Sequence, residues 1–241
     1  MPVIANSLLD GYLLSNAIGK GIVIAQLLGS VAMFAVIIGK WRELGFVASA
    51  SRRFMHDFSS GGDVLEYYMN RRPTVCSGLE NIYKETCERL LRIIAPNSRA
   101  LLAGRDPQAP GAAALTSREI ELVRGTCENV LDDELIRVES SMSIIATVVA
   151  LSPMLGLLGT VWGVLDAFAD MGSAGSANLA AIAPSISSAL VTTVVGLIIA
   201  IPGVCFFNAL NSKIRRITSD MEGFADELMG RIACDYQGRA V

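Results

Sequence analysis

The chain has 241 residues, 52% of them hydrophobic, and a net charge of −3. Its mean hydropathy of +0.48 excludes an ordinary water-soluble domain and points to an integral membrane protein. The net charge by itself says nothing about nucleic acid; no nucleic acid partner is expected.

Residues 1–17 form a short N-terminal segment, in which Leu8, Leu9, Tyr12 and Leu13 share one side of an interfacial helix over Asn6–Tyr12. The first apolar run, Ile18 to Ile38, predicts a membrane helix over 18–39. It is read as retained rather than as a signal peptide, because KWRELGF follows it with no small-residue cleavage site. Residues 40–143 form a large helical loop. Trp41 suits the membrane boundary. Phe46, Phe54 and Phe58 recur at helical spacing up to Gly61-Gly62, and Val64–Met69 and Val75–Ile94 predict two more helices, split near Arg72-Pro73. Ala95–Ser117 is read as a loop with a helical turn around Arg99–Leu102. Thr116-x-x-Glu119 has capping-box spacing. Ile120, Val123, Cys127, Val130, Leu131, Leu135 and Val138 then continue at 3/4 spacing with no glycine or proline breaking the pattern after Gly125. One uninterrupted helix from there into the membrane is expected.

Two further spans follow, over 144–169 and 182–208, joined by a short turn over 170–181. Each is long enough for a hydrocarbon core of ~30 Å. A C-terminal helix over 209–241 carries a heptad seam, Leu210, Ile214, Ile217, Met221, Phe224 and Leu228. Lys40 and Arg42 flank the first span, and Lys213, Arg215 and Arg216 follow the last, while the 170–181 turn has no Lys or Arg. Cytoplasmic flanks carry the basic excess. The N-terminus is therefore expected outside, the large loop and C-terminus inside, in a multi-pass protein. The five cysteines, Cys76, Cys87, Cys127, Cys205 and Cys234, have no CxxC spacing and are read as reduced thiols; His56 is the single histidine. Neither a metal site nor a cofactor is expected.

The last two spans carry hydroxyls and glycines where a plain anchor would be aliphatic. Counted from the outer turn, Thr160 and Thr193 both lie about 15 Å deep at 1.5 Å per residue, near the midplane. Each is on a small-residue stripe: Gly156, Thr160, Gly163 and Ala167 on one helix, Ala189, Thr193, Gly196 and Ala200 on the other. Such stripes, with Gly159, permit close helix packing; they equally permit a narrow polar lumen, to which Ser188 and Thr192 would add hydroxyls. Residues alone leave the two readings level, because a threonine can bond its own helix's carbonyls. Pro153, Pro184 and Pro202 shape the helices, with Pro184 expected in the first turn of the last span. Asp166 stands at the outer end as an interfacial carboxylate or an entrance group. A proton carrier needs a titratable group at depth, and these spans offer none. No Ser-His-Asp set or phosphate-binding glycine loop is present, so catalysis is not expected.

SPMLGLLGTVWGV, a short turn, and IAPSISSALVTTVVGLIIAIPGVCFFN resemble the MotA/TolQ/ExbB family of proton-channel subunits, in its TolQ/ExbB branch. The order and spacing of these motifs hold over about 65 residues. The resemblance implies an all-α integral membrane fold with long cytoplasmic helical extensions, forming a pentamer around a lumen built from the last two spans. Single-span TolR/ExbD-like helices would sit in that lumen and supply a membrane aspartate facing Thr160 and Thr193. A TonB-like or TolA-like protein would receive the work, in TonB-dependent transport or in Tol-Pal maintenance of the outer membrane. Ser188 stands where several members have a glutamate, so a relay through that position is not carried over. A non-conducting membrane scaffold is the alternative.

Overall fold

The computed structural model describes Tyr12 and residues 16–59, 64–70, 77–102, 115–174 and 179–236. The expected interfacial helix over Asn6–Tyr12, all but Tyr12, lies outside these residues. The described part is helical: α1 (Ala17–Ser59), α2 (Val64–Asn70), α3 (Gly78–Leu102), α4 (Ser117–Glu139), α5 (Met142–Ala174) and α6 (Leu179–Tyr236). Three of its helical stretches are long and apolar enough to cross a membrane.

The chain divides into two compact units. One comprises residues 1–41 and 141–211, the other 42–140 and 212–241. Helices α1 and α6 each contribute residues to both.

The second unit holds a conventional core. The heptad positions Ile214, Ile217, Met221, Phe224 and Leu228 are all buried, and Ile232 continues them. Phe54, Phe58, Tyr67, Tyr83 and Phe224 form an aromatic cluster, mostly edge to face, with Phe58 and Phe224 centroids 5.2 Å apart. Arg231 lies over the Phe58 ring at 4.5 Å and pairs with Glu227 at 2.6 Å. The Tyr83 hydroxyl donates to the Val64 carbonyl at 2.6 Å, tying α2 to α3.

Burial pushes the Tyr83 phenol well above its ordinary range, with Cys87 adding a smaller effect in the same direction. The folded chain therefore holds this proton more tightly than the unfolded chain, whose tyrosine titrates near ~10. Stability from this group is intact below that pH and falls as pH rises above it, by up to about 1.4 kcal/mol per pH unit. Unfolding curves of the full chain in detergent between neutral and strongly alkaline pH should show this slope, and Tyr83→Phe should remove its share.

Helix α4 starts as its sequence dictates. Thr116 accepts from Glu119 N through its hydroxyl, and the Glu119 carboxylate accepts from Thr116 N at 2.8 Å, a complete capping box. Its end corrects the sequence reading. The uninterrupted helix into the membrane breaks at Ser140-Ser141, where Ser141 has φ 68° and α5 restarts at Met142. Neither residue is a glycine or proline, but serine side chains compete with the backbone for helical hydrogen bonds. Three other bounds differ. Helix α3 continues through Ala95–Leu102, where a loop was expected, and the good helix formers Arg99, Ala100, Leu101 and Leu102 account for its reach. Helices α5 and α6 extend into the expected 170–181 turn, to Ala174 and from Leu179. Pro184 consequently sits inside α6, beyond its first turn, and is exposed.

Nothing in the local residue pattern marks Glu134 as a core residue. It is buried, accepts from Asn81 Nδ2 at 2.7 Å and pairs with Arg137 at 3.8 Å. The Cys127 thiol is buried too, and burial raises its pKa. Cys87, Cys127, Cys205 and Cys234 form no disulfide among the described residues.

Candidate functional site: the glycine-threonine seam

In the first unit α5 and α6 run antiparallel along a seam of small residues. A Cβ at Gly156 would lie 2.8 Å from Thr193 Cα, one at Gly159 would overlap the Thr192 side chain, and one at Gly163 would lie 2.5 Å from Ala189 Cβ. On the opposing helix a Cβ at Gly196 would lie 2.5 Å from the Ser152 carbonyl oxygen. As the α5 number rises the α6 partner's falls, the register of an antiparallel pair. These glycines let the two backbones approach closely, as in membrane helix pairs generally.

The close approach puts hydroxyls against carbonyls. Thr193 donates to the Gly156 carbonyl at 2.9 Å. Thr192 donates to Ala189 O at 2.7 Å and reaches the same Gly156 carbonyl at 3.1 Å. Thr160 instead donates to Leu157 O of its own helix at 2.8 Å, and Ser188 to Ser185 O at 3.0 Å. Thr160 and Thr193 thus share no hydrogen bond, though both stay partly accessible. Thr192 and Ser188 are buried within the chain's own packing, at 1% and 6% exposure. The α5 stripe meets α6 through Gly156, Gly159 and Gly163, with Thr160 turned to one side of it.

Pro153 and Pro202 are half-buried inside continuous helices. Each lacks an N–H, which leaves the carbonyl four residues earlier without its helical donor. Asp166 accepts a hydrogen bond from Asn16 Nδ2, linking the end of α5 to the start of α1. Lys40, which flanks the first span, is buried. Outside the seam, Leu157, Leu158, Val161, Leu165 and Phe168 of α5 and Leu190, Val194, Leu197, Ile198 and Ile201 of α6 are exposed. An apolar surface of that extent requires lipid or other chains around it.

Sequence reasoning missed Gln26. This α1 amide is 1% exposed and donates to Ser152 O at 2.9 Å and to Thr192 O at 3.4 Å. It ties the first span to both helices of the seam. The available signal was a lone amide between Ala25 and Leu27 in an otherwise apolar run.

Comparison with known proteins agrees with this architecture. The model of the MotA/TolQ/ExbB proton channel family matches residues 95–223. The Tol-Pal system protein TolQ of Haemophilus influenzae is 30% identical over 224 residues, covering 91% of this chain and 90% of the relative. TolQ of Pseudomonas aeruginosa is 28% identical over 89% of this chain and 88% of its own. The biopolymer transport protein ExbB of Neisseria gonorrhoeae is 38% identical over 96 residues, 40% of this chain and 44% of its own. The chain belongs to the MotA/TolQ/ExbB proton channel family.

Proposed function

We propose that the chain is the channel subunit of a TolQ–TolR or ExbB–ExbD type inner-membrane motor, which couples proton flow to work on the cell envelope. It catalyses no covalent reaction. Five copies enclose a lumen, and a single-span TolR/ExbD-like helix within it supplies the titratable aspartate. A TolA-like or TonB-like protein takes up the work. The N-terminus faces the periplasm and the C-terminus the cytoplasm, as the basic flanks indicate. The TolQ relatives align along about nine tenths of this chain and the ExbB relative along 40%, which favours the Tol-Pal assignment.

The observation that carries this reading is the pair of partly accessible hydroxyls, Thr160 and Thr193, on spans without a carboxylate or a basic residue at depth. Such a surface can pass a proton through hydroxyls and water only if another chain provides the titrating group. Thr192 and Ser188, packed inside the subunit, support the seam rather than face that partner. Thr160→Val and Thr193→Val keep shape and remove the hydroxyls. Reconstituted with its partner, each variant should take up protons about tenfold more slowly, a barrier rise of about 1.4 kcal/mol. Thr→Ser at the same sites should restore uptake. Wild-type rates in both valine variants would leave a non-conducting scaffold as the reading.

A further inference from the structure

Three features of the membrane unit converge on Thr192. The first is an unsatisfied atom. Gln26 Oε1 is buried and has no hydrogen-bond donor in the protein. Exchanging the amide's oxygen and nitrogen does not help, since the oxygen would then face the Ser152 and Thr192 carbonyls. The hydroxyls nearby are committed: Ser152 donates to Val148 O, Thr192 to Ala189 O and Gly156 O, Thr193 to Gly156 O, and Ser30 to Leu27 O. An amide oxygen buried without a donor costs about 1–3 kcal/mol.

The second is a cavity of about 10 Å³ at the Asp166 end of the helix pair, walled by Asn16, Asp166, Ser188, Thr192 and the bare backbones of Gly159 and Gly163 among others. That volume is at the lower bound for one water, which also needs two to four polar partners, roughly. The wall supplies them as acceptors. Ser188 and Thr192 have given their hydrogens elsewhere and keep free lone pairs, and Asp166 is a carboxylate. With the Asn16 amide and the Trp162 indole as N–H donors beside these acceptors, the wall suits water, which both donates and accepts. The third feature is proximity: Thr192 lines the cavity, and its backbone carbonyl accepts from Gln26.

We infer that each subunit holds an internal hydration site, entered from the Asp166 end, with water in the Ser188–Thr192 cavity and on Gln26 Oε1. Water thereby reaches the interior of the membrane unit within one copy of the chain, apart from any lumen shared between copies. Gln26 is a positioning residue here: its amide hydrogens hold three spans together, and its oxygen anchors the inner end of the water site. This goes beyond the conducting reading, because the site can be wet whether or not the assembly conducts.

Water-edited solid-state NMR on the full chain, assembled with its partner in lipid bilayers, tests it. Magnetisation should pass from water to Gln26 Cδ, Ser188 Cβ and Thr192 Cβ several-fold faster than to Leu158 and Leu197, whose side chains are on the exposed apolar surface. Ser188→Val, which fills the cavity and removes an acceptor, should bring Thr192 and Gln26 down to the rate of Leu197. Transfer to wild-type Gln26 and Thr192 as slow as to Leu197 overturns the inference. So does fast transfer unchanged by Ser188→Val. Proton uptake by the same sample is a separate readout: fast transfer without uptake keeps the water site and removes the conducting reading, and uptake with slow transfer does the reverse.

Discussion

Phe224→Ala should lower the stability of the chain by about 3–5 kcal/mol, the usual cost of removing a fully buried phenylalanine. Phe224 is 0% exposed. Its ring lies 5.5 Å from Phe54 and 5.2 Å from Phe58, both near edge to face. Both neighbours also contact Tyr83 at 5.6 Å, so the cluster is closed on several sides and cannot collapse into the space left. Such aromatic pairs contribute about 0.5–1.5 kcal/mol each beyond area burial, which pushes the loss toward the upper end. Phe46 is 62% exposed, and Phe46→Ala should stay within about 0.5 kcal/mol. Chemical unfolding of the full chain in detergent, followed by tryptophan-independent far-UV circular dichroism, measures both. Equal midpoints for the two variants would mean that the aromatic cluster does not organise this unit.

Much of the fold was legible because its signals are local. The 3/4 spacing from Ile214 to Leu228 names the buried face of α6, and every position of it is buried. Thr116 and Glu119 announced the start of α4 by their spacing alone. The break at Ser140-Ser141 was not legible. Serine is compatible with helix, and a positive φ in a non-glycine residue is set by what the rest of the fold demands. The start of α6 was misjudged because Pro184 looked like a first-turn proline, while the helix begins at Leu179. At the seam, the stripe read as Gly156, Thr160, Gly163 keeps both glycines, but the contact between them is Gly159, one residue and about 100° of helix from Thr160. Only the partner helix decides between i+3 and i+4 at that point, and it chose Gly159 for contact with Thr192. Gln26 escaped because one amide barely alters the hydropathy of a twenty-residue window, whereas its contacts are with residues more than a hundred positions away.

The seam itself yields the second large effect, at Gly196. A methyl there would meet the Ser152 carbonyl oxygen at 2.5 Å and Gln26 Nε2 at 2.9 Å. The first obstacle is backbone and cannot rotate away, so α5 and α6 must separate. Overpacking of this kind costs about 1–3 kcal/mol. The Gln26 hydrogen bond to Ser152, at 2.9 Å, is strained or lost in the same movement, and with it the tie from the first span. Helix propensity works in the opposite direction, since alanine is favoured over glycine by about 0.8–1.0 kcal/mol. Gly39 isolates that contribution: a Cβ there meets nothing within 4 Å. Gly39→Ala should therefore be neutral or stabilising while Gly196→Ala is destabilising, with opposite shifts in thermal midpoint and in the yield of assembled complex from detergent. Gly156→Ala should behave like Gly196→Ala, because its obstacles, Thr193 Cα at 2.8 Å and the Thr192 carbonyl oxygen at 3.0 Å, are backbone as well. Gly159→Ala meets a side chain rather than backbone, but Thr192 Cβ is itself 2.7 Å from the added methyl. Pairing it with Thr192→Ala, which keeps Cβ, should recover only the part of the loss due to the Thr192 hydroxyl and methyl. A Gly196→Ala variant as stable as Gly39→Ala would show that the backbones are farther apart than the hydrogen bonds from Thr193 and Gln26 require, and that the hairpin is held by its lipid-facing surroundings instead.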